Sequence, residues 1–273
     1  MKKIGIGKVF LFFSVIAGFL IIPASIHSLS NGRSQAGVTL ADINCDGKIK
    51  VVWTGDSIVR GVGDRKEKEG FVGRLRERVS NITVENLGVP GATTRSLLRA
   101  FKKNLLKKRR GTTKKRTEDA DYIFILAGVN DFWERGPAAR VERNLVRLLR
   151  FLKRTVPGIS TNEVQPVVLV STLLHTHREF QESFVNSVNA LLLKSSRVKK
   201  GVLFHKLLNV SLNSDGLHPT ARGYKRMSRF VLGYLREGIQ KSSSYIRAIK
   251  DSDGDGVFDR CEKKVFHTDP FSR

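Results

Sequence analysis

Four short segments of this 273-residue chain hold residue types that could together carry out nucleophilic chemistry. Ser57 stands in Gly55-Asp56-Ser57, and a serine hydroxyl becomes a nucleophile once a neighbouring base takes its proton. Asp215-Gly216-Leu217-His218-Pro219 offers that base. An Asp and a His three residues apart, ahead of a Pro that starts a helix, can bring carboxylate to imidazole, fix the ring tautomer and stabilise the imidazolium. Gly128-Val129-Asn130-Asp131 offers an Asn amide that can donate to an oxyanion. Asn86-Leu87-Gly88-Val89-Pro90-Gly91-Ala92-Thr93-Thr94 offers glycines whose backbone N–H can approach a ligand closely, with Gly88 and Gly91 both candidates. Taken singly, each segment is an ordinary loop or helix cap. His175 and His177 could line a pocket or bind a metal. They have no carboxylate cluster beside them and read as plain loop residues.

These residues need elements to carry them. Residues 49–53 form a short apolar, β-branched run ended by Thr54-Gly55, which reads as a buried strand followed by a turn. Residues 82–87, 122–127, 167–170 and 202–205 read as four more strands. Helical patterns cover 71–79, 93–106, a stretch from about Pro137 with core face Val141, Leu145, Leu148 and Leu152, then 179–193 and 219–237. Strands alternating with helices imply βαβ units and a parallel sheet covered on both faces. Each chemical segment follows a strand, at the sheet edge where open α/β folds bind ligands.

Order, strand context and residue type together make the sequence resemble the SGNH/GDSL hydrolase family of GDSL-like lipases and esterases. Gly55-Asp56-Ser57 looks like the family's first block and Gly91 falls at the Gly of the second. Gly128-Val129-Asn130-Asp131 matches the Gly-x-Asn-Asp of the third, and Asp215 to His218 matches the Asp-x-x-His of the last. Gly91 is preferred to Gly88 because it lies five residues after Asn86 and just before the Thr pair. The resemblance spans about 49–237. It implies a flavodoxin-like three-layer αβα sandwich around a five-stranded parallel sheet. It also implies a serine esterase that hydrolyses carboxylic (O-acyl) esters. Ser57 would be the nucleophile, His218 the base and then the acid, and Asp215 its orienting group. The N–H groups of Ser57 and Gly91, with the Asn130 side chain, would form the oxyanion hole. Asp131 would fix the loop that presents Asn130. The same triad would serve an O-acyltransferase on an envelope glycan. A reading of another class is a calcium-dependent surface-binding protein with an idle hydrolase core, against which the intact triad argues.

Two acidic loops flank this region. Residues 251–262 fit the twelve-residue calcium loop, with oxygen ligands from Asp251, Asp253, Asp255, Asp259 and Glu262 and the carbonyl of Val257. The loop resembles EF-hand and thrombospondin-type-3 repeats of extracellular proteins. Asp42-Ile43-Asn44-Cys45-Asp46-Gly47 resembles the first half of a dockerin-like loop, but its twelfth position is Trp53, which cannot ligate calcium. Calcium is expected to be structural, and catalysis to need no cofactor. Each loop carries one of the two cysteines, so the loops are expected to lie together, stapled by a Cys45–Cys261 disulfide.

The chain opens with Lys2, Lys3 and Lys8, an apolar run of about 14 residues, and Pro23-Ala24-Ser25, the layout of a secretory signal peptide. The run falls short of the roughly 20 residues that span a bilayer. The expected organisation is a signal peptide over 1–28 and a lead-in with the partial calcium-type loop over 29–48. The hydrolase domain follows over 49–240, then a calcium-loop extension over 241–273. The expected location is secreted or periplasmic, with no integral membrane domain after cleavage. Lys and Arg number 49 against 25 Asp and Glu, a net charge of +24. Such a field favours an anionic ester substrate, polysaccharide or lipid, and nucleic acid ranks below these for an exported protein. Residues 99–116 are the densest basic run, read as a solvated loop or as a docking patch for an anionic surface.

Overall fold

The computed structural model describes residues 38, 40–66, 68–106, 119–154, 165–254, 257–263 and 270–271. The expected signal segment and residues 107–116 of the basic run lie outside them. Five strands form one sheet: β1 (Lys50–Gly55), β2 (Thr83–Gly88), β3 (Tyr122–Leu126), β4 (Val167–Thr172) and β5 (Lys200–Leu203). All pairings are parallel and the order is β2-β1-β3-β4-β5. From β1 the chain steps to β2 on one side and then crosses to β3 on the other. The C-terminal ends of β1 and β3 therefore flank the crevice where such sheets bind ligands.

Between the strands lie α1 (Ser57–Arg60), α2 (Gly70–Arg76), α3 (Thr94–Leu106), α4 (Ala138–Arg154) and α5 (Glu179–Lys194). After β5 come α6 (Ala221–Gly233), α7 (Ser243–Ala248) and α8 (Asp259–Cys261). Helix α2 packs on α6, while α4 packs on both α3 and α5, which gives the expected three-layer α/β fold. Val51, Val52 and Trp53 of β1 are wholly buried. A strand covered on both faces must carry such a continuous apolar run. Trp53 stacks on Phe124 of β3 at 4.6 Å between ring centroids and meets Phe71 of α2 edge-on at 4.9 Å. On α4, Val141, Leu145, Leu148 and Leu152 are buried while Arg143, Arg147 and Arg150 face water.

Most element boundaries shift by one to three residues from expectation, and two of the shifts have a clear cause. The fifth strand runs over Lys200–Leu203, not 202–205, because Lys200 pairs with Val170 and Phe204 already begins a 3₁₀ turn. A lysine suits an edge strand, and its polarity hid the strand's start. The last long helix begins at Ala221 rather than Pro219, capped by Thr220, whose hydroxyl accepts from the Gly223 N–H at 3.2 Å. Pro219 instead bridges to Leu212. The helix leaves α geometry at Gly233 and continues as a π turn over Tyr234–Gly238.

The lead-in is tied to the sheet by Asp121, a residue with no local sequence signal. Its carboxylate accepts from the N–H groups of Ile43 (2.7 Å), Asn44 (3.0 Å) and Lys50 (2.7 Å). Burial pushes this carboxyl up to about 7 against the pull of those donors. Cys45 and Cys261 are joined by a disulfide, with 6.2 Å between Cα atoms. The two acidic loops are thereby linked, as their cysteines suggested.

Candidate active site

The turn that ends β1 places Ser57. Asp56 caps α1, its Oδ1 accepting from the Ile58 N–H at 2.9 Å, so Ser57 becomes the first residue of a one-turn helix. Ser57 is buried at 5% exposure. His218 Nε2 lies 2.8 Å from Ser57 Oγ, and His218 Nδ1 makes a short contact with Asp215 Oδ2. Asp215 Oδ1 also accepts from the Leu217 N–H at 2.9 Å and the His218 N–H at 3.0 Å. This folds the segment into the tight turn that its three-residue spacing suggested. Partial burial pushes the Asp215 carboxyl up. The hydrogen bonds from the His218 ring and from these two N–H groups outweigh it and hold it down at about 2. Asp215 is therefore a carboxylate at any pH where a histidine can act as a base.

Asn213 joins the histidine loop to the serine loop. Its amide donates to the carbonyls of His218 (3.0 Å), Pro219 (3.1 Å) and Gly63 (3.3 Å). Behind Gly63, Asp64 and Arg74 form a buried ion pair, and Asp64 also accepts from the Gly70 N–H. Tyr224 of α6 donates to the Val62 carbonyl at 2.7 Å. None of these four side chains carried a sequence signal, since an Asn, an Asp–Arg pair or a Tyr has no diagnostic spacing.

The loop that carries Asn130 is tied to the loop that carries Gly91. The Asn130 amide donates to the Ala92 carbonyl at 3.1 Å, so it lies against the loop that carries Gly91. Gly91 adopts φ +74°, which favours glycine, and has open space where a Cβ would stand. Gly88, the other candidate, is pressed against the backbone of Val59 and Arg60 in α1 and acts as a packing spacer. Asp131 locks the arrangement by accepting from the Thr94 N–H (2.8 Å) and the Thr94 hydroxyl (2.5 Å), while Asn144 of α4 donates to that hydroxyl at 3.0 Å. Burial raises the Asp131 carboxyl against those bonds.

Asp56 is nearly fully buried, and its Oδ2 has no hydrogen-bond partner among the described residues. Burial, with a smaller push from Asp131, raises it to about 7. His175 and His177 are loop residues, as expected. The His177 N–H donates to the Gly216 carbonyl at 2.8 Å, tying this loop to the Asp215 turn. Burial holds His175 below its ordinary value, with a further push from His177.

With this geometry in place, the sequence profile of the GDSL-like Lipase/Acylhydrolase family matches residues 54–226. The chain belongs to that family. The family segment contains Ser57, Gly91, Asn130, Asp215 and His218, and its members' name denotes hydrolysis of acyl groups. Among solved structures, the chain is similar to a lipolytic protein of the G-D-S-L family from Veillonella parvula. The TM-score is 0.53 at 18% identity, covering 68% of this chain and 97% of that one. It is also similar to a catalytic mutant of an acetylxylan esterase from Geobacillus stearothermophilus. Here the TM-score is 0.50 at 16% identity, covering 69% and 95%. At such identities the likeness is one of fold. A comparison with curated proteins finds no match.

The C-terminal acidic loop is described except for Asp255 and Gly256 at its centre. Asp253 and Glu262 are buried, and Asp251, Val257 and Asp259 are half-buried. Asp251 accepts from the Gly254 N–H at 2.8 Å. Asp259 accepts from the Ser252 N–H (2.7 Å) and hydroxyl (2.9 Å) and pairs with Lys250 at 3.2 Å. In the first loop, Asp42 accepts from the N–H groups of Asp46 (3.3 Å) and Gly47 (2.7 Å). Among the described residues, no group of three or more His, Cys, Asp or Glu side chains is arranged to hold a metal ion. No helix among them is long and apolar enough to cross a membrane.

Proposed function

We propose that the protein is an exported serine esterase that hydrolyses carboxylic (O-acyl) esters through Ser57, His218 and Asp215. The observation that carries this reading is the 2.8 Å contact of His218 Nε2 with Ser57 Oγ, with the opposite ring nitrogen on Asp215. Ser57 Oγ attacks the acyl carbon as His218 Nε2 takes its proton. The new oxyanion accepts from the N–H groups of Ser57 and Gly91 and from the Asn130 amide. Collapse breaks the C–O bond, and His218 returns the proton to the departing alkoxide. Water then repeats the sequence on the acyl-enzyme and frees the acid. Asp215 keeps Nδ1 protonated and stabilises the imidazolium.

Export rests on the leader over 1–28 and is consistent with the Cys45–Cys261 disulfide, which an oxidising compartment preserves. A structural calcium ion would be held by Asp251, Asp253, Asp255, Asp259, Glu262 and the Val257 carbonyl. The all-oxygen donor set suits a hard cation, and binding one would require the four described carboxylates, which are not gathered around a common point, to converge with Asp255. When bound, the ion would neutralise these carboxylates and brace the loop beside Cys261.

The test is release of p-nitrophenol from acetate, butyrate and octanoate esters by the protein and by Ser57→Ala. Turnover by the protein that is lost in Ser57→Ala is expected. Equal turnover by both proteins would end the reading.

A further inference from the structure

Beside the candidate oxyanion loop lies a group of four aromatic rings that the esterase reading does not use. Trp133 and Phe180 are each 60% exposed, with ring centroids 5.9 Å apart. Phe132 supports both from behind, at 5.2 Å from Trp133 and 5.7 Å from Phe180, and Phe184 backs Phe132 at 5.6 Å. Leaving two large rings together in water is unfavourable, and such a patch marks a surface that meets something.

Its position follows from the local geometry. Asn130 and Trp133 belong to one 3₁₀ turn, Val129–Glu134. In a 3₁₀ helix, residues three apart eclipse one another and rise by about 6 Å. Asp131 and Glu134 obey this, both reaching back to the Thr93–Thr94 segment. Asn130 and Trp133 share the next face, so the indole stands one turn beyond the candidate oxyanion amide. Phe180 approaches from the other side. The segment just before it is bound to the acid turn, with Arg178 Nε donating to the Asp215 carbonyl at 2.6 Å and the His177 N–H to Gly216. The ring pair thus lies between the elements that hold Asn130 and Asp215.

We infer that Trp133 and Phe180 form a stacking platform for a sugar ring, so that the alcohol half of the substrate is an O-acylated glycan. The inference rests on the esterase reading above. An acyl chain gains by losing its hydration on all sides, and this pair leaves more than half of each residue in water. A sugar ring presents one C–H face to an aromatic ring and keeps its hydroxyls wet on the other. It therefore fits an open platform that an aliphatic chain does not. Exposed Arg135 closes the turn beside Trp133, and Arg178 flanks Phe180. They supply donors for ring hydroxyls or for an acidic substituent.

Two measurements test it. The chain has two tryptophans, and Trp53 is wholly buried, so a change of emission from an exposed indole reports Trp133. Titrating Ser57→Ala with xylohexaose should shift that emission saturably, and Trp133→Ala should abolish the shift. Second, the ratio of KM for acetylated xylan to KM for p-nitrophenyl acetate should rise about tenfold in Trp133→Ala and in Phe180→Ala. Trp133→Phe should restore most of the ratio. No emission change together with an unchanged ratio overturns the platform. So does a loss that follows acyl length from acetate to octanoate instead of the presence of glycan. If no ester is turned over in a Ser57-dependent way, the esterase reading has failed, and the emission titration still decides whether the rings bind sugar.

Discussion

Gly63 lies directly against His218: a methyl group on residue 63 would stand 3.0 Å from His218 Cβ and closer still to the Asn213 amide. Its φ of +88° also belongs to the region that glycine alone adopts freely. Gly63→Ala should therefore displace the imidazole from Ser57. A loss of kcat of about tenfold or more is expected, with the melting temperature falling by only a few degrees. Ester hydrolysis and thermal unfolding of the same preparation check it. An unchanged kcat would mean that His218 does not depend on this contact.

Asn130 and Asp131 should separate cleanly. Asn130→Ala removes the proposed oxyanion donor and should lower kcat by roughly 10²–10³ while the protein stays folded. Asp131→Ala leaves the Thr94 N–H and hydroxyl without their acceptor inside the protein, and should cost about 1–3 kcal/mol of stability as well as activity. Kinetics and denaturant unfolding on both variants distinguish the two effects.

Asp56 and Asp121 are both raised to about 7 from an ordinary 3.8 by burial. The native state thus holds protons that the unfolded chain releases first. Their contribution to stability is fullest below the unfolded value, near 4, and is lost as pH rises through about 7. Asp56→Asn keeps the Oδ1 acceptor for Ile58 and removes the charge. Its melting temperature should fall less than that of the parent between about pH 4 and 8. Parallel curves for the two proteins would refute the assignment.

The two ends of the domain offer a fourth expectation. The disulfide spans 216 residues of sequence. In the chain-entropy model its removal in Cys45→Ser/Cys261→Ser costs up to about 5 kcal/mol. A chelator should lower the melting temperature of the parent without lowering the initial rate of ester hydrolysis, since a calcium ion in the C-terminal loop would brace the fold and leave the Ser57 chemistry alone. A melting temperature that does not respond to chelator would remove calcium from the account.

The sequence exposed whatever has a fixed spacing. The apolar runs of β1 and β3, the core face of α4, and the Asp215–His218 turn follow from period or interval alone. Their physics is local, a covered strand or a three-residue reach. Asp121, Asn213 and the Asp64–Arg74 pair stayed hidden because each acts across a long stretch of chain on backbone groups or on a partner with no set interval. The edge strand β5 was displaced by two residues because its first position is a lysine. Trp133 and Phe180 carry no sequence signal, since nothing local says that a large ring will stay in water.

The Cys45–Cys261 bond closes the domain into a covalent ring, with Cys45 ahead of the first strand and Cys261 beyond the last long helix. One backbone cut anywhere between them opens the ring without dividing the molecule. A nicked protein would keep both pieces at high effective concentration and could re-form its sheet after unfolding. On a non-reducing gel it would migrate as one band, and only a thiol would release the halves. A protein exported as proposed would thus survive a single clip that would scatter an unbridged chain.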